Sequence, residues 1–444
     1  MMKFIFMLMF MIFMMSCKLK SMLMNLYFNL MFIMSFMYMF MYMEIKDICI
    51  HFVLGYFGLD NYSFFMVMLS MWILGLMFMS LDSWSLIKMF LFLVLMIIFV
   101  GVFSSLSMMI FYFFFEVSLI PTFFLIIYWG VNPERLSAGF YLMLYTMFIS
   151  LPFLVYIFWF LNQFGTFNMN LMLIYVNDYD INFFDYLMIF SAFFIKLPIY
   201  MFHVWLPKAH VEAPVYGSMV LAAVLLKLGT YGLIRLLMIF IYSCIYFNYL
   251  VFSVSLVGSF VIGLVCLIQI DLKSLVAYSS VVHMNFLLMS MMTMMKLGFL
   301  SSYIMMIGHG LCSSGLFYMV NIYYQKTYSR IIFFNKGMLT LLPMYTVWWF
   351  FLCSSNFSFP LSLNFISEIL MISSVISWSF SMFIFLMIIC FFSSAYSLYL
   401  FSYIQYGEVY IEKKISFILV KNVLVLILHL YPLVFVLLNL IIFY

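Results

Sequence analysis

The sequence predicts an all-α polytopic membrane protein: a bundle of about 14 transmembrane helices, the seventh and twelfth of them broken, built around two inverted five-helix repeats. Three observations predict it. Of 444 residues, 69% are hydrophobic and only 7% charged, whereas soluble domains carry roughly 25% charged residues, so the ionisable side chains are too few to clothe a water-facing surface. Long uncharged runs recur at the length of a span, about 20 apolar residues for a hydrocarbon core of about 30 Å, without the short alternation of barrel strands. Loop cations, finally, segregate to alternate loops.

In chain order, helices are expected near 1 to 16, 22 to 43, 61 to 80, 86 to 107, 108 to 129, 136 to 160, 184 to 207, 213 to 241, 246 to 269, 272 to 294, 298 to 323, 337 to 376, 378 to 403 and 416 to 443. The first is read as a retained span, because no small-residue cleavage motif follows the apolar run Phe4 to Met15 before Lys18 and Lys20. The seventh contains Pro198 and the overlong twelfth contains Pro360; a proline inside a span frees a carbonyl and breaks the helix. The longest polar interruption, Asn162 to Asp185, with Gly165, Asp178 and Asp180, reads as a surface loop.

Orientation tests the count, since basic residues accumulate on the untranslocated side. Loops after odd-numbered helices hold twelve: Lys18, Lys20, Lys88, Arg135, Lys208, Lys273, Lys326, Arg330, Lys336, Lys413, Lys414 and Lys421. The N-terminus and the even-helix loops hold Lys3, Lys46 and Lys296. A helix miscounted in mid-chain would scramble this separation, which puts both termini on the positive-poor side. Five spans separate the two broken helices, the spacing of two inverted repeats. The division is therefore 1–85 (helices 1 to 3), 86–241 (first repeat, helices 4 to 8), 242–403 (second repeat, helices 9 to 13) and 404–444 (helix 14).

A formal net charge of +4 without a basic cluster sets nucleic acid aside. The seven cysteines never form a C-x-x-C pair, so spacing offers neither an iron–sulfur ligand set nor a zinc site. There is no Gly-rich dinucleotide fingerprint. No cofactor and no metal is expected, and His203 with His210, seven residues apart across Pro207, is a poor ligand pair.

What remains are charges where lipid should be. An ionised side chain deep in a bilayer costs about 3 to over 10 kcal/mol, so each is a functional candidate. Glu116 follows the uncharged run Met89 to Phe115; the plainer alternative is a structural ion pair or a neutral packed acid. Lys196 stands two residues before Pro198, where a desolvated amine beside irregular backbone can load and release a proton; snorkelling is the alternative. Lys227 lies in Leu225-Leu-Lys-Leu-Gly229-Thr-Tyr-Gly232, where small residues permit close helix approach. Arg235 cannot release a proton and reads as an anchor or counter-charge. His309, between Gly308 and Gly310, and His283 titrate near neutrality when unperturbed, although a span histidine is as often a hydrogen-bonded structural group. Glu368, eight residues after Pro360, sets a second acid beside a second break. His203, Lys273 and His283 are secondary candidates.

The run Lys196-Leu-Pro198 to Pro214, the string around Lys227, the stretch Asp271-Leu-Lys273-Ser-Leu-Val-Ala-Tyr278-Ser-Ser-Val-Val-His283-Met and the string Ile307-Gly-His309-Gly together resemble the antiporter-like membrane subunits of respiratory complex I, NADH:ubiquinone oxidoreductase, themselves related to subunits of sodium/proton antiporters. The resemblance runs from about Asp60 to the C-terminus. It implies a fourteen-helix fold with inverted repeats and discontinuous seventh and twelfth helices. It further implies a hydrophilic axis onto which Glu116, Lys196, Lys227, His309 and Glu368 map, with the fifth-helix glutamate paired to the seventh-helix lysine. Other members carry lysine where this chain has Glu368, which favours the chain 4 branch. Only eight alanines remain in helices rewritten in Phe, Met, Ile and Tyr, and every charge of the axis is kept. The activity implied is proton translocation in the mitochondrial inner membrane, driven by redox chemistry in partner subunits, with other membrane-arm subunits, antiporter-like neighbours among them, and lipids as partners and both termini facing the intermembrane space. A stand-alone cation/proton antiporter and a purely structural membrane spacer are the competing classes.

Overall fold

The computed structural model describes residues 7–11, 20–43, 51–52, 56–81, 85–175, 181–408 and 419–443. Most of the span expected over 1 to 16, and the charges Lys3, Lys18, Lys46, Asp178, Asp180, Lys413 and Lys414, lie outside the described residues. The helices are α1 (Lys20–Met43), α2 (Asn61–Ser80), α3 (Leu86–Ser104), α4 (Met108–Trp129), α5 (Arg135–Phe164), α6 (Phe183–Lys196), α7 (Trp205–Glu212), α8 (Val215–Ile239), α9 (Asn248–Ile268), α10 (Leu272–Met292), α11 (Lys296–Thr327), α12 (Pro343–Asn356), α13 (Leu363–Trp378), α14 (Phe383–Gln405) and α15 (Val420–Phe435). Ten helices among the described residues are long and apolar enough to cross a membrane. The remaining β-structure is small: His51–Phe52 pairs antiparallel with Gly58–Leu59.

Local chemistry explains the boundaries. Ser85 and Ser107 cap α3 and α4 by accepting from Lys88 N and Ile110 N, and Asp60 with Ser63 forms a capping box at α2. Helix α5 stops at Gly165, whose φ of +68° suits a residue without a Cβ. Serine hydroxyls inside spans turn back onto their own helix, as Ser280 to Ala277 O and Ser301 to Gly298 O, so they need no partner from lipid. The described part of the expected loop Asn162 to Asp185 is more ordered than its polarity suggested. It holds a short helix, Met169–Tyr175, and Met108 N and Leu106 O bond to Phe167 O and Met169 N.

Both expected breaks are present. Helix α6 ends at Lys196, and the next turn is lost until Trp205 because Pro198 has no N–H to donate. The second break runs from Phe357 to Ser362, between α12 and α13, with Ser358 and Leu361 at positive φ. Each break is closed by a side-chain amide: Asn285 donates to Pro198 O at 3.3 Å, and Asn364 donates to Ser355 O at 2.8 Å. The Trp205 indole also donates to Ile195 O at 3.0 Å. Carbonyls released from the ladder are thus satisfied inside the protein, as a dry surrounding demands.

Helices α8, α10 and α11 form the centre. They are 94%, 94% and 100% buried, against 33% for α5 and 28% for the span containing α15, so ionisable groups on these three helices are shielded from lipid.

Candidate functional site

Glu116 lies on α4 two residues before Ser118, the turn residue that joins its two segments. It is buried, and neither carboxylate oxygen has a hydrogen-bond partner among the described residues. Lys196 acts on it electrostatically and Ser150 lies beside it, but the Ser150 hydroxyl donates to Met147 O, and the ion pairs among the described residues do not include Glu116 with Lys196. The lysine, last residue of α6, donates instead to Phe115 O at 2.7 Å, with its Nζ 3.1 Å from the Phe115 ring centroid. Carbonyl and ring face together hold the ammonium one residue short of the acid.

The next station is brought close by a glycine. A Cβ on Gly229 would stand 3.1 Å from Leu197 N and 3.2 Å from Lys196 Cβ, so the bare α8 backbone packs directly on the broken helix. Lys227, one turn-half before it, is fully buried. Upstream, Leu221–Leu225 forms a π-turn, which releases a carbonyl from the ladder. Lys227 Nζ donates to Ala222 O at 2.6 Å and meets His309 Nδ1 at 2.9 Å.

From there contacts continue across the core. The His309 and His283 rings lie 5.6 Å apart at 52°. His283 Nδ1 stands 3.5 Å from Glu368 Oε1, and His283 Nε2 is 3.2 Å from the Tyr396 hydroxyl. His283, a secondary candidate in the sequence, therefore occupies the position between His309 and Glu368. Gly308 admits Asn364 and Leu363 of α13 against α11.

Two secondary candidates stand apart. Lys273, in the first turn of α10, donates to Ala213 O at 2.9 Å and Val211 O at 3.5 Å, capping the C-terminus of α7 beside Glu212 and Arg330. Arg330 donates to Val211 O at 2.8 Å and lies 3.8 Å from Glu212 Oε1. This cluster lines a cavity of about 190 Å³ that includes Lys88 and Tyr216, and a second of about 270 Å³ shares Glu212. His203 lies in the break, stacked on Tyr200 at 5.7 Å. His210 is buried against Phe317 at 4.8 Å and 7°, within electrostatic reach of Lys273 on one side and Lys227 on the other. Arg235 is an anchor: it pairs with Asp60 and donates to the Tyr231 hydroxyl at 3.0 and 2.8 Å, while that hydroxyl donates to Phe103 O.

Sequence reasoning missed Tyr396, Asn285, Asn364 and Glu212. Asn285 was discernible as an amide inside an uncharged run, and Glu212 as an acid near a break. Tyr396, among 33 tyrosines, gave no signal.

Comparisons with known proteins agree with one another. A family described as NADH:quinone oxidoreductase/Mrp antiporter, transmembrane, matches residues 105–394. The amino-terminal family of NADH-ubiquinone oxidoreductase chain 4 matches residues 1–100. The chain is 43% identical over 386 residues to NADH-ubiquinone oxidoreductase chain 4 of Apis mellifera ligustica, covering 84% of this chain and 83% of that one. It is 46% identical over 370 residues to the Aedes aegypti protein of the same name, covering 80% of each. Its fold is similar to a chain of respiratory complex I from Thermus thermophilus (TM-score 0.79, 21% identity, 85% of this chain and 81% of that one). It is also similar to a chain of an archaeal membrane-bound sulfane sulfur reductase (TM-score 0.82, 18% identity, 94% and 72%).

Proposed function

The chain belongs to the NADH-ubiquinone oxidoreductase chain 4 family, and from that membership we propose how it works as a proton-translocating membrane-arm subunit of respiratory complex I. It resides in the mitochondrial inner membrane as a multi-pass protein and assembles with other membrane-arm subunits. Glu116, Lys196, Lys227, His309, His283 and Glu368 form its proton relay. The observation that carries this reading is the line of contacts from Lys227 through His309 and His283 to Glu368, crossing the most deeply buried helices. Separate helices contribute each group, and chance packing of a lipid-soluble bundle has no reason to align them.

The mechanism follows from the gap between Glu116 and Lys196. While Lys196 rests against Phe115 O, Glu116 favours its ammonium form only through space. When the two draw together each stabilises the other's charge; when they part, the desolvated lysine gives its proton toward Lys227. Water carries the proton over the gap, and partner subunits supply the redox energy, this chain holding no redox centre. The fold that supports the relay is read as fourteen helices with 86–241 and 242–403 as inverted repeats, flanked by 1–85 and 404–444. The paired breaks at Pro198 and Pro360, each closed by an asparagine, support that symmetry. The loop cations support termini facing the intermembrane space.

The deciding experiment is NADH-driven proton pumping by the assembled complex in sealed vesicles. Lys196→Ala and Glu116→Ala are each expected to abolish pumping while the complex stays assembled. Normal pumping by both would leave the chain a structural spacer, and sodium exchange by the chain alone would make it an antiporter.

A further inference from the structure

The relay leaves out a hydroxyl that touches it from the side. Tyr396 lies on α14, a helix that buries only one face. Its side chain is fully buried, and His283 Nε2, at 3.2 Å, is its hydrogen-bonding partner among the described residues. On the other side of the same imidazole, Nδ1 faces Glu368 Oε1 at 3.5 Å.

We infer that Tyr396 is a positioning residue of the relay: its hydroxyl donates to His283 Nε2 and thereby holds the imidazole as the Nδ1–H tautomer, aimed at the Glu368 carboxylate. The inference rests on the relay reading above and deepens it. A neutral imidazole has one N–H and one lone pair, and the bond made at one nitrogen sets the role of the other. A buried hydroxyl with one partner must donate to it or leave its proton unplaced. An ionised carboxylate only accepts. Donation by Tyr396 and acceptance by Glu368 therefore ask for the same tautomer. The opposite tautomer orphans the hydroxyl proton and sets the Nδ1 lone pair against the carboxylate. At 3.5 Å, with Oε1 otherwise unpartnered, the Nδ1–H···O contact is poised rather than closed, so ring orientation decides whether Glu368 can receive a proton. The tyrosine also fixes the ring plane between His309 and Glu368, since it tethers Nε2 from α14 while Nδ1 faces the carboxylate on α13.

The test uses the assembled complex in sealed vesicles with histidine labelled at its ring nitrogens. In the unmodified complex, the vibrational or magnetic-resonance signature of His283, assigned by its loss in His283→Gln, is expected to be that of Nδ1–H; an Nε2–H signature overturns the inference without any tyrosine variant. Tyr396→Phe keeps the ring and removes the hydroxyl. It is expected to mix the two tautomers and to lower pumping roughly tenfold, less than the 10²–10⁴ of losing an acid–base group itself. Glu368→Gln and the double variant are expected to pump equally slowly, because the tyrosine acts through that carboxylate. Losses that multiply in the double variant, or an unchanged tautomer in Tyr396→Phe, overturn the positioning role while leaving the relay standing. Normal pumping by Glu368→Gln instead removes the relay's terminal acid, and the role of Tyr396 falls with it.

Discussion

Between Glu116 and Lys196 the charged atoms do not meet, whereas from Lys227 to Glu368 neighbouring groups, one from each of four helices, stand within 2.9 to 5.6 Å of one another. The difference lies in who holds the lysine. Lys196 is held by the carbonyl and ring of Phe115, the residue next to its acid, while Lys227 is held by Ala222 O and touches its histidine directly. A charge pair separated by a small gap changes its energy steeply with distance in a poorly screened interior. A contacted row does not. The first half is thus suited to switching and the second to conduction, and the proposed relay needs one of each.

The largest expected effect tests the switching half. Lys196→Ala removes the group that both senses Glu116 and hands its proton on, and pumping is expected to fall by about 10² or more, the lower bound for losing an acid–base group. Glu116→Gln should fall to a similar level in the same vesicle assay. Near-normal pumping by Glu116→Gln would show that the lysine works without its partner and would break the comparison at its first term.

Next comes Lys227→Met, which keeps the bulk and removes both hydrogen bonds. Pumping is expected to fall by about 10², and the complex is expected to assemble, since Met packs readily where a long stem lay. A loss of assembly would mean that Lys227 is chiefly a brace for the π-turn. Smaller still are Asn285→Ala and Asn364→Ala, which strip the amides from the two breaks. Asn285→Ala leaves the Pro198 carbonyl without its amide donor, at about 1–3 kcal/mol, whereas Ser355 O in Asn364→Ala keeps a backbone donor, Ser358 N at 3.4 Å, and should lose less. Both should lower the thermal midpoint of the complex, and Asn285→Ala should slow pumping more, because it loosens the break that carries Lys196.

How much of this could be read in the sequence follows from where the physics is local. Helix positions are legible because span length is set by the bilayer: α3, α4, α9 and α10 fall within about three residues of the hydropathy edges. Glu116, Lys196, Lys227 and Glu368 are legible because a charge in an apolar run is costly wherever it sits. Both breaks were announced by prolines. Rank along the line was not: Lys273, counted with the loop cations and kept as a secondary candidate, is buried in the first turn of α10, where it meets the end of α7 rather than the line. His283 and Tyr396 gained their places only when α10, α11, α13 and α14 were packed together. The π-turn at Leu221–Leu225 has no marker in Leu-Ala-Ala-Val-Leu, being one inserted hydrogen-bond step rather than a residue preference.

The smallest effect sharpens the comparison at the seam between its two halves. Gly229 lets α8 lie against the break, with Lys196 Cβ only 3.2 Å from where a methyl would stand and the backbone nitrogen of Leu197 at 3.1 Å. Gly229→Ala gains helix propensity of about 1 kcal/mol but pushes α8 from α6 by a few tenths of an ångström, opposing terms of similar size. Stability should therefore change little. The distance from Lys196 to Lys227 should grow, and with it the time a proton needs to pass from the switching half to the conducting half. A pumping rate lowered about twofold, with an unchanged thermal midpoint, is the expected outcome. Unchanged pumping in Gly229→Ala, with slow pumping in Lys196→Ala, would mean that the proton leaves Lys196 by a route that does not cross this seam.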